Sequence, residues 1–197
     1  MTDDGPVTRI ISGQAGGRRL RTPDGQGTRP TSDRVREALF SALDVRGVVD
    51  GAHVMDLYAG SGALGLEAAS RGAASVLLVE SDRGAAGVIR GNIADIGVAG
   101  ARVQAGTVEA ALARPASLTY DLVLADPPYD VDEDSLTRVL DLLLTHAWLA
   151  PEALVVVERS SRSPEPGWPM GLVRADEKRY GETVLWFAEQ WAPDYQI

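Results

Sequence analysis

From residue 53 onward, apolar runs of five to eight residues alternate with stretches of helical spacing. HVMDLYA (53–59), SVLLVE (75–80), ARVQAG (101–106), YDLVLADPP (120–128) and ALVVVERS (153–160) read as strands. Between them, ALGLEAASRG (63–72), DRGAAGVIRGNIADIG (82–97), VEAALA (108–113) and DEDSLTRVLDLLLTHAWL (132–149) read as helices. Strands alternating with helices build a parallel sheet covered on both faces. Most of these strands lack a polar alternation, as expected for strands buried on both sides. After the break SPEPGWP, GLVRADEKRY (171–180) and TVLWFAEQW (183–191) predict an antiparallel pair that finishes the sheet. The expectation is an α/β, doubly wound, mostly parallel sheet with an antiparallel last strand.

Ahead of this region, RIISG (9–13) and RRLRTP (18–23), joined by QAGG, predict a short β-hairpin. A loop, DGQGTRPTS, leads into DRVREALFSALDV (33–45), whose apolar residues at 35, 38, 39, 42 and 43 form a helical stripe. Charge divides the chain the same way. Residues 1–36 hold seven arginines against four acids, a net of +3, whereas the other 161 residues carry a net of −12. A basic arm on an acidic body is therefore expected, with residues 1–30 as the extension and 31–197 as one domain.

Other classes drop out by composition. With no cysteine there is no disulfide, thiolate metal site or cysteine nucleophile. No apolar run approaches the ~20 residues of a membrane span, and MTDDGPVTRI lacks the apolar stretch of a signal peptide. A cytoplasmic location is the expectation. His53 and His146 open a strand and end a helix, and neither is expected to be catalytic. Asp130, Asp132, Glu133 and Asp134 read as the acidic start of a helix rather than a metal cluster.

The first strand ends in DLYAGSGALG, with Gly60, Gly62 and Gly65 as G-x-G-x-x-G between a strand and a helix. Such a loop lets a nucleotide lie against the backbone, and Glu80, twenty residues on, stands where ribose hydroxyls can be bound. A dinucleotide and S-adenosylmethionine both fit this Rossmann-like pattern. Asp56 favours the second: its carboxylate would repel a pyrophosphate, whereas S-adenosylmethionine brings an ammonium and a sulfonium. A P-loop is excluded because no Lys-Ser/Thr follows the glycines.

DPPY (126–129) ends another strand, and strand ends of an open parallel sheet share one ligand cleft. An exocyclic amine on a nucleobase attacks a sulfonium poorly because its lone pair is delocalised into the ring. Two acceptors on its N–H bonds restore nucleophilicity. Asp126 and the carbonyl of Pro127 can be those acceptors, with Pro127 and Pro128 fixing the backbone. Tyr129 offers a face to a base lifted from its stack, worth about 1–3 kcal/mol. Positioning and electrostatics suffice, so no histidine or cysteine is needed.

RIISGQAGGRRL, RPTSDRVREALFSAL, DLYAGSGALGLEAASRGA, DPPY and RYGETVLWF together resemble the bacterial 16S rRNA (guanine(966)-N2)-methyltransferases, of small-subunit rRNA methyltransferase D type. The likeness runs from Arg9 to Phe187. It implies a class I S-adenosylmethionine-dependent methyltransferase fold. It also implies a cofactor site of Asp56, Tyr58, Gly60, Ser61, Gly62, Glu80, Ser81, Gly106, Thr107 and Asp126, with Asp126 to Tyr129 holding the target guanine. Arg9, Arg18, Arg19, Arg29, Thr31 and Arg34 would contact RNA. The implied partner is 16S rRNA within the small subunit or an assembly intermediate, met by a monomer without metal. Gly106 departs from the pattern, since related enzymes often place Asp or Asn there against the adenine. Adenine recognition is accordingly expected from the backbone around Gln104–Thr107. DPPY alone also admits an adenine-N6 methyltransferase, the glycine loop admits a dehydrogenase, and the fold admits a non-catalytic ribosome-assembly factor.

Overall fold

The computed structural model describes residues 8–23 and 33–191. Five parallel strands form its centre: β1 (His53–Leu57), β2 (Ser75–Glu80), β3 (Ala101–Ala105), β4 (Tyr120–Ala125) and β5 (Leu149–Ser160). β6 (Leu172–Tyr180) and β7 (Thr183–Gln190) form the expected hairpin, and β7 inserts antiparallel between β5 and β6. The sheet order is β3-β2-β1-β4-β5-β7-β6. Chain direction across the sheet therefore reverses between β1 and β4, which opens a crevice at their carboxyl ends.

Alternation along each strand sends side chains to two separate cores. On one face Val54, Leu78, Leu122, Leu124, Leu154 and Val156 pack under α1 (Asp33–Arg46), α2 (Ala63–Ser70) and α3 (Arg83–Ile96). On the other, Met55, Val79, Val123, Val155 and Val157 pack under α4 (Val108–Leu112) and α5 (Glu133–Thr145). Local signals set the helix starts. Asp82 caps α3 through Ala85 N–H, Thr107 caps α4 through Ala110 N–H, and Asp132 caps α5 through Ser135 N–H.

Strand and helix ends differ from the sequence expectation by up to a few residues, the most at the end of α5 and the start of β5. The helix expected through Leu149 stops at Thr145, and Leu149 already pairs with Tyr120 as the first residue of β5. Ala147 takes a left-handed φ of 54°, which turns the chain back onto the sheet. Trp148 and Leu149 extend the apolar stripe in sequence, but they are buried against β4 and the end of α4 rather than on a helix.

The N-terminal segments expected as hairpin strands turn back on each other without a regular ladder: they meet at one isolated antiparallel bridge, Arg9 with Arg19, where Ile10 N–H donates to the Arg18 carbonyl (3.0 Å) and Leu20 N–H to the Thr8 carbonyl (2.9 Å). The hairpin is also part of the body, because Ile10, Ala15 and Leu20 are buried in the α1–α3 core. Glu67 of α2 is itself fully buried, and its carboxylate accepts the N–H groups of Ile11 (2.7 Å) and Ser12 (3.0 Å). Ser70 accepts Ala15 N–H at 2.9 Å and donates to the Ser12 carbonyl at 2.6 Å. Gly13 passes so close that a Cβ there would lie 1.9 Å from the Ser70 carbonyl oxygen. The boundary expected between residues 30 and 31 lies outside the described residues.

Candidate active site

A cleft of about 870 Å³ opens at the carboxyl ends of β1, β2, β4 and β5, walled on one side by the hairpin and α1. The β1–α2 turn forms its floor. Tyr58 (φ 62°), Gly60 (φ 57°) and Gly62 (φ 83°) all adopt left-handed backbone to make this turn. Glu80 ties the turn to β2: one carboxylate oxygen accepts Gly60 N–H at 2.7 Å, the other Asp82 N–H at 2.8 Å. A Cβ on Gly60 would meet nothing within 4 Å, so the backbone here faces open cleft. Gly62 and Gly65 serve packing instead, with Ile89, Leu78 and Asp56 occupying the space beside them.

Asp56 lies in the cleft at 1% exposure, where its Oδ2 accepts the N–H of Gly65 at 2.8 Å. The carboxylate therefore caps α2 from the neighbouring strand, since the N-cap residue Gly62 has no side chain to do so. Burial pushes its pKa up to about 7; the Gly65 N–H opposes this, and the charges of Asp126 and Glu80 add to it. A buried carboxyl poised between forms, flanked by two more acids, attracts a cation and repels a phosphate. With Glu80 at the end of β2, this donor set fits the ammonium, sulfonium and ribose of S-adenosylmethionine.

Asp126 to Tyr129 line the same cleft at the tip of β4, so the two motifs do converge. Asp126 is half-buried, Pro127 is buried, and Tyr129 is 73% exposed at the rim. The loop closes with Val131 N–H donating to the Pro128 carbonyl at 3.0 Å.

Of the remaining residues in the expected cofactor set, Tyr58, Ser61, Ser81 and Thr107 line the cleft. Gly62 and Gly106 do not. Gly106 instead continues the β3–β2 ladder, its N–H donating to the Glu80 carbonyl at 2.8 Å. The Tyr58 hydroxyl is buried without a hydrogen-bond partner, and burial pushes its pKa up to about 12.

The expected RNA contacts lie away from the cleft floor. Arg9, Arg19 and Arg34 are exposed, while Arg29 and Thr31 fall outside the described residues. Arg18 donates to the carbonyls of Asp95 (3.2 Å) and Ile96 (2.8 Å), tying the hairpin to the end of α3.

Two arginines at the cleft, Arg36 and Arg159, are not among the expected site residues. Arg36, 1% exposed, donates to the Arg9 carbonyl and to Asp33. Burial lowers its pKa. Arg159, also buried, donates to the Val131 carbonyl at 3.3 and 3.4 Å and pairs with Glu133. It braces the far end of the DPPY loop. In sequence, nothing separates such arginines from solvated ones.

The family model described as Conserved hypothetical protein 95 matches residues 8–189. The chain is 40% identical over 176 residues to ribosomal RNA small subunit methyltransferase D of Escherichia coli K12, covering 89% of this chain and 86% of that protein. It is 33% identical over 166 residues to the protein of the same description from Haemophilus influenzae, with 79% and 80% covered. Among solved structures, yhhF from Escherichia coli superposes with a TM-score of 0.84 at 37% identity, covering 94% of this chain and 98% of that one. A hypothetical protein of Thermus thermophilus follows at 0.72 and 31%, with 91% and 97% covered.

Proposed function

The chain belongs to the Conserved hypothetical protein 95 family, with ribosomal RNA small subunit methyltransferase D as a relative, and on that premise we propose that it methylates the N2 amine of guanine 966 in 16S rRNA. S-adenosylmethionine, when bound, supplies an electrophilic methyl group on a sulfonium. The observation that carries the reading is the meeting of Asp126–Tyr129 with Asp56 and Glu80 in one cleft.

The chain's own groups then divide the work. Glu80 and the open backbone at Gly60 hold the nucleoside portion, and Asp56 supplies negative charge beneath the cationic portion. Asp126 accepts one N–H of the target amine and the Pro127 carbonyl accepts the other, so the nitrogen pyramidalises toward the methyl group. The N2 proton lost on transfer passes toward the Asp126 carboxylate. Tyr129, on the rim, stacks on a base extruded from its helix and offsets part of the extrusion cost of a few kcal/mol.

The exposed Arg9, Arg19 and Arg34 supply phosphate contacts that set register while the cleft selects the base. A body with a net charge of −12 beyond residue 36 disfavours naked RNA. The proposed substrate is therefore a protein-containing small-subunit particle, and equal turnover on deproteinised rRNA would remove that part of the reading.

Mass mapping of 16S rRNA from cells lacking the protein tests the reading as a whole. The expected result is loss of one methyl group from N2 of guanine 966, restored by the wild-type gene. Loss of an N6-methyladenine instead would transfer the enzyme to the adenine class, and an unchanged map would leave it without this activity.

A further inference from the structure

Glu80, Asp126 and Glu158 lie level at the carboxyl ends of β2, β4 and β5, with Asp56 of β1 two residues deeper between the first two. Alternation places all four on the α1–α3 face of the sheet: Leu78, Val54, Leu124 and Val156, each two residues earlier, are buried in that core. Glu80, Asp56 and Asp126 are assigned above. Glu158 is not. It lies on β5 one residue beyond the Ala125–Val157 pair, beside Asp126 in the parallel register, and it lines the cleft. Adjacent strands lie about 4.8 Å apart, so a planar base whose amine meets Asp126 presents its next edge atom toward Glu158.

We propose that Glu158 is a specificity-determining residue that accepts a hydrogen bond from N1–H of the target guanine while Asp126 accepts from the neighbouring N2 amine. This rests on the guanine-N2 reading above and deepens it. Guanine carries two adjacent donors on that edge, N1–H and N2–H, and two adjacent carboxylates are their complement. Adenine carries its exocyclic amine beside N1, which is an acceptor there, so its lone pair would face the Glu158 carboxylate. A buried acceptor opposed by another acceptor loses its hydrogen bond and gains repulsion, which is how such sites reject near-isosteric ligands. Glu158 thus answers what DPPY leaves open, because Asp126 and Pro127 treat any exocyclic amine alike. Arg159, the next residue, points to the opposite face, where it braces Val131. Neighbouring residues of one strand thereby serve the base and the loop separately.

The test uses small-subunit particles carrying either guanine or 2-aminopurine at the methylated position. 2-Aminopurine keeps the N2 amine but has an unprotonated N1. Wild-type protein is expected to methylate the guanine particle at least about 100-fold faster. Glu158→Gln is expected to shrink that ratio below about tenfold, because the amide donates to N1 of 2-aminopurine and accepts from guanine less well than a carboxylate. Binding of S-adenosylhomocysteine, measured by calorimetry, should be unchanged in the variant. Equal rates on both particles with wild-type protein would overturn the proposal without any variant having to fold. So would a ratio that Glu158→Gln leaves intact while both rates fall together. Failure of the guanine-N2 reading looks different: wild-type protein then leaves the guanine particle unmodified, and the assignment of Glu158 goes with it.

Discussion

Asp56 Oδ2 accepts the backbone N–H of Gly65 at 2.8 Å, linking the penultimate residue of β1 to the first turn of α2. One carboxylate thus does two things. It satisfies a helix N-terminus that has no side-chain cap of its own, and it supplies negative charge to the cleft. Close approach is possible because position 65 is glycine: a Cβ there would lie 3.0 Å from the same Oδ2. Folding and ligand binding therefore compete for the protonation state of Asp56.

The pH dependence follows. Burial raises the Asp56 pKa to about 7, so without ligand the group is mostly neutral at pH 6 and mostly ionised at pH 8. A cationic ligand prefers the ionised form. Affinity for S-adenosylhomocysteine, whose ammonium is retained over this range, should rise as pH increases through 7 and level off above it. Calorimetry between pH 6 and 8 measures this, and Asp56→Asn should both weaken binding and flatten the profile. The stability effect has the opposite sign. A carboxyl with a raised folded-state pKa binds more protons folded than unfolded, so its contribution falls as pH rises from about 4 toward 7. Asp56→Asn, still able to accept Gly65 N–H, should therefore melt higher than wild type at pH 8.

Asp126→Ala removes an acceptor that works only as the amine pyramidalises. Loss of one such transition-state contact costs about 10²–10³-fold in kcat. Single-turnover methyl transfer to small-subunit particles is the measurement, and a variant within tenfold of wild type would show that the proposed chemistry is wrong.

What could be read ahead of the structure divides along physical lines. SVLLVE and YDLVLA carry apolar residues on both faces, which only a doubly covered strand explains, and the glycine exit of β1 and the proline exit of β4 fix where the cleft must be. Lost from view were features that depend on which face a residue reaches. Phe40 is fully buried yet lies outside the expected α1 stripe, and the Arg71 guanidinium at the end of α2 lies over its ring at 5.0 Å on a side of the helix that periodicity leaves to solvent. Arg36 and Arg159 look like surface residues in sequence, and only their backbone acceptors, the carbonyls of Arg9 and Val131, reveal them as internal struts. Glu67 was one acid in a helix until two hairpin N–H groups converged on it.

The hairpin's docking onto α2 can be tested at glycine. Gly13→Ala would drive a Cβ to 1.9 Å from the Ser70 carbonyl oxygen at a residue with φ 81°, so the hairpin must shift off Ser70. Gly17 has a similar φ of 82° with nothing within 4 Å, so Gly17→Ala carries only the backbone strain of about 1–2 kcal/mol. Overpacking should add about 1–3 kcal/mol at position 13. Thermal unfolding should accordingly place Gly13→Ala below Gly17→Ala by about 2–12 °C, and equal melting temperatures would mean that the close approach is relieved at no cost.

Arg159→Leu probes the loop rather than the chemistry. The substitution keeps an apolar side chain against the β5 face of the α4–α5 core but leaves the Val131 carbonyl and Glu133 without the guanidinium. Val131 closes the DPPY turn through its own N–H on Pro128, so freeing its carbonyl loosens the segment that aims the Pro127 carbonyl. Displacements near 1 Å at a reacting centre cost about 100-fold in rate. The expected outcome is a kcat lowered by about 10–100-fold with S-adenosylhomocysteine affinity unchanged, and faster hydrogen exchange at the Val131 amide. A fall in kcat with Val131 exchange unaltered would instead assign Arg159 to the electrostatics of the cleft, where its charge already acts on Tyr58.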